Sequence, residues 1–137
     1  MEESTLETVG RLLGRAENLL FVTGAGISAD SGLPTYRGVG GLYNQDTEDG
    51  VAIEDALSGA MFSARPELTW KYLWQIGKAC QGARPNAAHG IIAELEKQKP
   101  SVWVLTQNVD GLHRQAGSQN LVEVHGNIYD LTCTECD

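Results

Sequence analysis

The stretch of sequence that decides the fold is LLFVTGAGISA, residues 19–29. Its first five residues form a short apolar run, bounded by Asn18 and by a glycine turn, which predicts a buried strand of a parallel sheet. The turn has the spacing G-x-G-x-x-G/A, with Gly24, Gly26 and Ala29 at the three small positions. After a strand, this spacing indicates backbone that can approach a pyrophosphate, with free N–H groups at the start of a short helix. A purely structural turn is the alternative.

Further strands and helices alternate along the chain. Residues 101–105 (SVWVL) and 121–124 (LVEV) predict two more buried strands. An amphipathic helix is predicted before the first strand from apolar residues at helical spacing, which are Leu6, Val9, Leu12, Leu13 and Ala16. This order of elements predicts an α/β fold with a parallel sheet.

Residues 51–82 are helical in pattern and follow a glycine-containing loop at 34–50. Pro66 suits the first position of a helix that runs to about residue 79, with Gly82 just beyond its end. Trp70 and Trp74 lie one turn apart on this helix and are interpreted either as core residues or as an apolar wall of a binding site.

Another helix is predicted to begin at Pro85–Asn86 and to end before Pro100. Its apolar face is expected to consist of Ala88, Ile91, Ile92 and Leu95.

Three polar side chains, Gln107, Asn108 and Asp110, follow the strand at 101–105. Ligands of open α/β sheets bind at the carboxyl ends of the strands, so these groups can hydrogen-bond ribose hydroxyls and a carboxamide. Because Asn and Asp also favour turns, turn chemistry is the alternative. The acidic residue typical of dinucleotide-binding dehydrogenases has no clear counterpart, since residues 46–49 lie in a loop. A hydride-transferring dehydrogenase is therefore disfavoured.

Of the three histidines, His125 is the candidate for chemistry. It follows the third predicted strand and precedes a glycine, so it can face the same crevice as Gly26 and Asn108. An imidazole titrates near neutral pH, which suits a general base. His89 lies in a helical segment and His113 in the turn after the polar cluster, and both are expected to be structural hydrogen-bonding residues.

The C-terminal segment contains Cys133-x-x-Cys136, and a third cysteine, Cys80, lies in a helical pattern. In a chain without a secretion signal, this spacing indicates metal or redox chemistry before a structural disulfide. One pair supplies two ligands, whereas a structural zinc takes four. A thioredoxin-like redox pair is the alternative. Cys80 is expected to be an ordinary buried or half-buried residue.

The composition argues against two classes of function. Of the 137 residues, 42% are hydrophobic and 20% are charged, which is ordinary for a globular domain. A net charge of -8 lacks the basic footprint of sequence-independent nucleic-acid binding. No apolar run approaches the roughly 18 residues of a membrane helix. Because the N-terminus shows no targeting pattern, we expect a cytoplasmic protein without membrane or direct nucleic-acid partners.

Six motifs, in order along the chain, resemble those of the sirtuin family of NAD-consuming protein lysine deacylases. They are GAGIS at 24–28, SGLPTYR at 31–37, PNAAH at 85–89, TQNVDGLH at 106–113, HG at 125–126 and CTEC at 133–136. The resemblance implies a Rossmann-like lobe, a parallel sheet with helices on both faces, formed by residues 1–37 and 86–125. It also implies a small lobe, with a helical insertion at 38–85 and the start of a zinc module at 126–137.

The resemblance further implies that NAD is a co-substrate, that nicotinamide is released, and that the acyl group of a protein lysine passes to ADP-ribose. His125 is then the general base, and Asn108 is the second catalytic residue. The implied NAD-binding residues are Gly24, Ala25, Gly26, Ile27, Ser28, Tyr36, Arg37, Gln107, Asn108 and Asp110, and the implied zinc ligands are Cys133 and Cys136. Protein mono-ADP-ribosyl transfer and NAD binding without catalysis are the alternatives.

Individual roles follow from the same resemblance. Ala25, Gly26 and Arg37 contact the phosphates and nearby ribose, and Gln107 holds ribose. The nicotinamide pocket is implied to consist of Ile27, Asn108 and Asp110, with Asp110 on the carboxamide. Tyr36 stands where the family usually has a phenylalanine that shields the reacting carbon.

Acyl preference is implied by two positions in the helix that begins at Pro66. Family members that prefer succinyl or malonyl lysine have a tyrosine and an arginine there, and this chain has Leu73 and Ile76. A buried acyl carboxylate would lack its charged partner, so acetyl or longer neutral acyl groups are expected.

The family's second cysteine pair and the strands that hold the adenosine half of NAD would lie beyond residue 137. The sequence is therefore expected to be the N-terminal part of a longer enzyme. By itself it is expected to fold poorly and to be inactive, because a half-built parallel sheet leaves an unpaired edge.

Overall fold

The computed structural model describes residues 4–35, 47–133 and 135–136. The elements are α1 (Thr5–Arg15), β1 (Asn18–Thr23), a 3-10 helix (Ala25–Ser31), α2 (Ile53–Ala56), α3 (Gly59–Ala64), α4 (Pro66–Cys80), α5 (Ala87–Gln98), β2 (Ser101–Thr106), α6 (Leu112–Ala116) and β3 (Leu121–Glu123). No helix in these ranges is both long and apolar enough to cross a membrane.

The three strands form a parallel sheet in the order β1-β2-β3. Thr23 at the end of β1 pairs with Thr106 at the end of β2, which in turn pairs with Glu123 at the end of β3. The predicted parallel sheet is therefore confirmed, although β3 ends one residue earlier than predicted. Because all three strands end at one edge, the loops that follow them meet there.

The two faces of this sheet differ in burial. Val102, Val104 and Thr106 are almost fully buried on one face. On the other face, Leu20 and Trp103 pair with each other and are 63% and 47% exposed. The expectation that whole strands are buried is thus wrong for the described residues, in which the alternation is that of a sheet with one covered face.

Two predicted helices form, but their apolar faces are not buried as expected. Helix α1 has a Ser4–Glu7 capping box and no buried residue. On α5, Ile91 is 60% exposed, whereas Ile92 and Ala93 are buried together with His89. The buried face of α5 is therefore shifted by about one residue from the prediction, because His89 occupies a core position.

The segment at 51–82 is helical as predicted, but it is divided into α2, α3 and α4. Ser58 caps α3 by accepting a hydrogen bond from the Met61 N–H. Pro66 begins α4 as predicted, and Gly82 follows its end with a φ of 84°. Their shared core is formed by Ile53, Ala56, Leu68 and Tyr72.

Candidate functional site

An open cleft of about 1580 Å³ lies where the loops after the strands face helix α4. Its wall includes Ala25 and Gly26 after β1, Gln107 and Asn108 after β2, and His125 after β3. The structure therefore brings together five of the residues that the sequence nominated, from three separate segments.

Asn108 links the loop after β2 to the glycine turn. Its side chain is almost fully buried, and its Nδ2 donates to the Gly24 carbonyl and to Ser28 Oγ, both at 3.1 Å. Ser28 Oγ donates to Asp110 Oδ2 at 2.7 Å, and Asp110 Oδ1 accepts from the Leu112 N–H at 2.9 Å. We call Ser28, Asn108 and Asp110 the polar floor; of the three, Asn108 reaches the cleft wall, and the other two lie behind it.

The nominated residues divide into two groups by position. Gly24, Ile27, Ser28 and Asp110 are not in the cleft wall but lie behind or beside it. Asp110 borders a smaller cavity of about 420 Å³ near Cys80. Tyr36 and Arg37 lie outside the described residues.

The glycine turn after β1 uses left-handed backbone at its end and not at Gly24. Gly24 has extended backbone, with φ -141° and ψ -169°, which any residue can adopt. The turn continues as a 3-10 helix, and the left-handed residue is Gly32 at its end, with φ 82°. A Cβ added at Gly26 would meet no atom within 4 Å, since this residue faces the open cleft. Gly26 thus leaves its backbone open to a ligand, as the sequence indicated.

His89 and His113 are buried in edge-to-face contact, with ring centroids 4.8 Å apart. His89 Nδ1 lies 3.3 Å from the Asn86 N–H that donates to it. His113 Nε2 lies 2.9 Å from Thr23 Oγ1. Burial is the main cause that lowers the pKa of both rings, and for His113 the charge of His89 lowers the pKa further. Both are structural, as expected.

A pair of threonines at the strand ends was missed by the sequence analysis. Thr23 Oγ1 donates to Thr106 Oγ1 at 2.9 Å, and Thr106 Oγ1 accepts from the Asn108 N–H at 3.1 Å. These bonds connect His113 to the backbone of Asn108. The signal was present, because a threonine ends each of the two paired strands.

The apolar wall of the cleft comes from α4. Trp70 and Trp74 are 47% and 63% exposed and line the cleft together with Leu73 and Ile76. The interpretation of the two tryptophans as core residues is therefore wrong, and the alternative of an apolar binding wall is supported. The core positions on this helix are those of Leu68 and Tyr72, and the Tyr72 hydroxyl donates to Asp49.

Cys133 and Cys136 lie on the surface, and Cys80 is buried as expected. The Glu135 N–H donates to Cys133 Sγ at 3.4 Å and is the main cause of the lowered pKa of that thiol. Across the residues that the structure describes, no group of three or more potential metal ligands is found. The structure thus presents one pair of thiols and not a complete tetrahedral set.

Comparison with known proteins gives consistent results. The model of the Sir2 family matches residues 24–137. "NAD-dependent protein deacylase 2" of Pseudomonas aeruginosa is 60% identical over 135 residues, which are 97% of this chain and 53% of the relative. "NAD-dependent protein deacylase" of Thermococcus sibiricus is 43% identical over 96% of this chain and 50% of its own length. The chain spans about half the length of the curated relatives it matches.

Solved structures agree with the sequence matches. A Sir2 homologue–NAD complex superposes with a TM-score of 0.83 at 34% identity. The match covers 98% of this chain and 51% of the chain in that structure. A structure described as "Structural Basis for the Mechanism and Regulation of Sir2 Enzymes" has a TM-score of 0.78 at 36% identity, over 94% of this chain and 49% of its own. These matches confirm the predicted Rossmann-like fold class.

Proposed function

The chain belongs to the Sir2 family, and from this premise we propose that the whole protein is an NAD-dependent protein lysine deacylase. The observation that carries the proposal is the cleft, in which the glycine turn, Asn108 and His125 come together beside an apolar wall. The relatives' names support the same activity, because they are called NAD-dependent protein deacylases.

NAD would lie against the glycine turn. The space beside Gly26 is open to the cleft, so a phosphate group can approach the backbone there without meeting a side chain. Gln107 is exposed at the same edge and can hydrogen-bond a ribose hydroxyl. NAD supplies the electrophilic sugar carbon and a leaving group, and the residues of this chain hold and orient it.

His125 would act as the general base. It is exposed on the cleft wall, directly after the strand that ends at Glu123. A neutral imidazole there can accept a proton from a ribose hydroxyl and return it later. Asn108 lies on the same wall, but its side-chain amide is held by Gly24 and Ser28. It would therefore define the depth of the nicotinamide pocket with little loss of side-chain entropy on binding.

Asp110 would receive the carboxamide of nicotinamide. Its two carboxylate oxygens already accept from Ser28 and from the Leu112 N–H. Each carboxylate oxygen has two lone pairs, so a further donor can be accepted. Ile27 would close the pocket from behind the cleft wall.

The acyl group would lie against α4. Leu73 and Ile76 face the cleft, as do Trp70 and Trp74. None of these four side chains carries a charge that could pair with an acyl carboxylate, whose burial would be costly. Lys78 also lines the cleft, and its ammonium group lies over the Trp74 ring, 5.0 Å from the centroid. We therefore expect acetyl and longer neutral acyl groups to be preferred.

A structural zinc would be held in part by Cys133 and Cys136. The two thiols are close enough for their side chains to hydrogen-bond, and the Glu135 N–H points at one sulfur. This chemistry fits two of the four ligands of a tetrahedral site. Zinc would stabilise the small lobe and take no part in the reaction. Zinc analysis of the purified protein should give about one metal per chain, and Cys133→Ser should lower it.

The function is tested with the protein at its natural length, NAD and an acetyl-lysine peptide. Mass spectrometry should show nicotinamide, acyl-ADP-ribose and free lysine peptide in equal amounts. His125→Ala should lower the rate by about 10²-fold to 10⁴-fold, the range for a general base, without a change in melting temperature. ADP-ribosylated protein without acyl-ADP-ribose would instead support transferase activity, and NAD binding without nicotinamide release would contradict both enzymatic functions.

A further inference from the structure

The turn that carries His125 is closed by side-chain hydrogen bonds within residues 123–129, and a backbone hydrogen bond attaches it to the loop after β2. Asn127 Nδ2 donates to Glu123 Oε1 at 2.8 Å, and Asn127 Oδ1 accepts from the Tyr129 N–H at 3.0 Å. The Ile128 N–H donates to the Val109 carbonyl at 2.9 Å. We call these contacts the turn clamp.

The clamp fits closely against Gly111. A Cβ at this position would lie 3.2 Å from Asn127 Nδ2, and the backbone has a φ of 71°, which favours glycine. The Asn127 amide therefore packs against the backbone of the loop that also carries Asn108 and Asp110. One side chain thus touches both loops of the proposed active site.

Glu123 is the acceptor at the centre of the clamp. Only 10% of its side chain is exposed, and it also forms an ion pair with Arg114, whose side chain is 59% exposed. Because the Arg114 end of this pair is exposed, solvent screens the ion pair in part. The hydrogen bond from Asn127 is partly buried, so its loss leaves a carboxylate oxygen with little access to water without this partner.

The two loops are not equally held. The loop after β2 is fixed independently by Ser28, by the Thr106 hydroxyl and by the Leu112 N–H. The segment around His125 is held by fewer side chains: the Val124 N–H donates to the Thr106 carbonyl, the Gly126 N–H donates to the Glu123 carbonyl at 3.0 Å, and the clamp fixes the turn that follows. Loss of the clamp should therefore move His125 and leave the pocket of Asn108 and Asp110 in place.

We propose that Asn127 and Glu123 are positioning residues that hold His125 in its place for proton transfer. This rests on the proposed deacylase function. Misplacement of a reacting group by about 1 Å can reduce a rate by about 10²-fold. The predicted consequence is a lower kcat with nearly unchanged affinity for NAD, a split that loss of folding or of the NAD pocket would not produce.

The test exchanges donor and acceptor within the clamp, in the protein at its natural length. Asn127→Asp keeps the oxygen that accepts from Tyr129, but it places a second carboxylate against Glu123. We expect kcat to fall about tenfold or more, while the dissociation constant for NAD, measured by titration without peptide, changes less than about twofold. The double variant Asn127→Asp/Glu123→Gln restores a donor–acceptor pair and should recover most of kcat.

Two further variants separate the hydrogen bond from the ion pair. Glu123→Gln alone keeps the acceptor for Asn127, and Arg114→Gln removes only the exposed charge. Arg114→Gln should retain kcat within about threefold, and Glu123→Gln should lower kcat less than Asn127→Asp does. The matched control is Glu94→Gln, which breaks the exposed Glu94–Lys97 pair of α5 and should change nothing.

Three results would overturn the proposal, and a fourth concerns the function instead. A wild-type kcat in Asn127→Asp would show that the clamp does not position His125. A fall in NAD affinity as large as the fall in kcat would show that the clamp supports the pocket. If Asn127→Asp does not fold, the double variant provides the test. Its kcat should be close to that of the wild type, and a low kcat in a folded double variant would contradict the proposal. Absence of acyl-ADP-ribose with the wild-type protein would refute the proposed function itself.

Discussion

The polar floor and the apolar wall of the cleft differ in how their side chains are held. Ser28, Asn108 and Asp110 of the floor are buried and hydrogen-bonded to one another. In the wall, Trp70 and Trp74 are about half exposed. The floor combines loops from two strands, whereas the wall comes from the single helix α4.

This difference indicates that the floor and the wall contribute differently to stability and to substrate choice. Buried polar groups that are fully paired rigidify their surroundings, but they are costly when one partner is lost. Exposed apolar side chains stabilise the fold little, so they can change with little effect on the fold. We therefore expect substitutions in the floor to affect folding and activity together, and substitutions in the wall to affect substrate choice alone.

The largest effect is expected from Ser28→Ala in the floor. It removes the donor to Asp110 Oδ2 and an acceptor of Asn108 Nδ2, both of which are buried. The free energy of unfolding should fall by about 1–3 kcal/mol, measured by urea denaturation of the protein at its natural length.

Ser63→Ala is the matched control for this substitution. Ser63 is exposed, and its hydroxyl donates to the Gly59 carbonyl of its own helix. Its removal should change the free energy of unfolding by less than about 0.5 kcal/mol. Equal losses in the two variants would break the distinction between floor and surface.

The sheet could be predicted from the sequence because its signals are local. Apolar runs and a glycine turn specify β1 and β2 without knowledge of the rest of the chain. The buried face of α5 could not be predicted in the same way. His89 ranks as polar in any periodicity count, yet it is buried against His113, and this contact depends on residues far away in sequence.

The sequence predicted which residues form the candidate site but not which way their side chains face. Asn108, Gln107 and His125 meet in one cleft because parallel strands end at one edge. That Asp110 turns away toward Ser28 depends on the turn through Gly111, whose left-handed backbone opens α6. Turn geometry of this kind is set by tertiary contacts and not by composition.

An effect confined to specificity is expected from Ile76→Arg in the wall. A guanidinium at this cleft-lining position can form a charge-assisted hydrogen bond with an acyl carboxylate, worth about 1.5–3 kcal/mol. The ratio of kcat/KM for succinyl-lysine over acetyl-lysine peptides should rise about tenfold or more, without loss of melting temperature.

The control for charge alone is Gln75→Arg, one residue earlier on α4 and outside the cleft wall. It should leave the ratio unchanged. An unaltered ratio in Ile76→Arg, or faster turnover of succinyl-lysine by the wild type, would show that the acyl group does not lie against this wall.

The smallest effect is expected from the buried His89–His113 pair, in the pH dependence of the free energy of unfolding. Burial lowers the pKa of His89 and His113 below 6.5, and the charge of Asp110 offsets this only in part. Well above pH 6.5 the rings are neutral in both folded and unfolded chains. Below pH 6.5 the unfolded chain binds protons that the folded chain does not, so the free energy of unfolding falls as the pH is lowered.

Replacing His113 with Asn should lower the free energy of unfolding at every pH. It should also reduce the further decrease in this free energy between about pH 6.5 and 5.5, by up to about 1 kcal/mol. An unchanged slope in urea denaturation would mean that His113 titrates alike in both states, and the buried pair would then have no part in acid sensitivity.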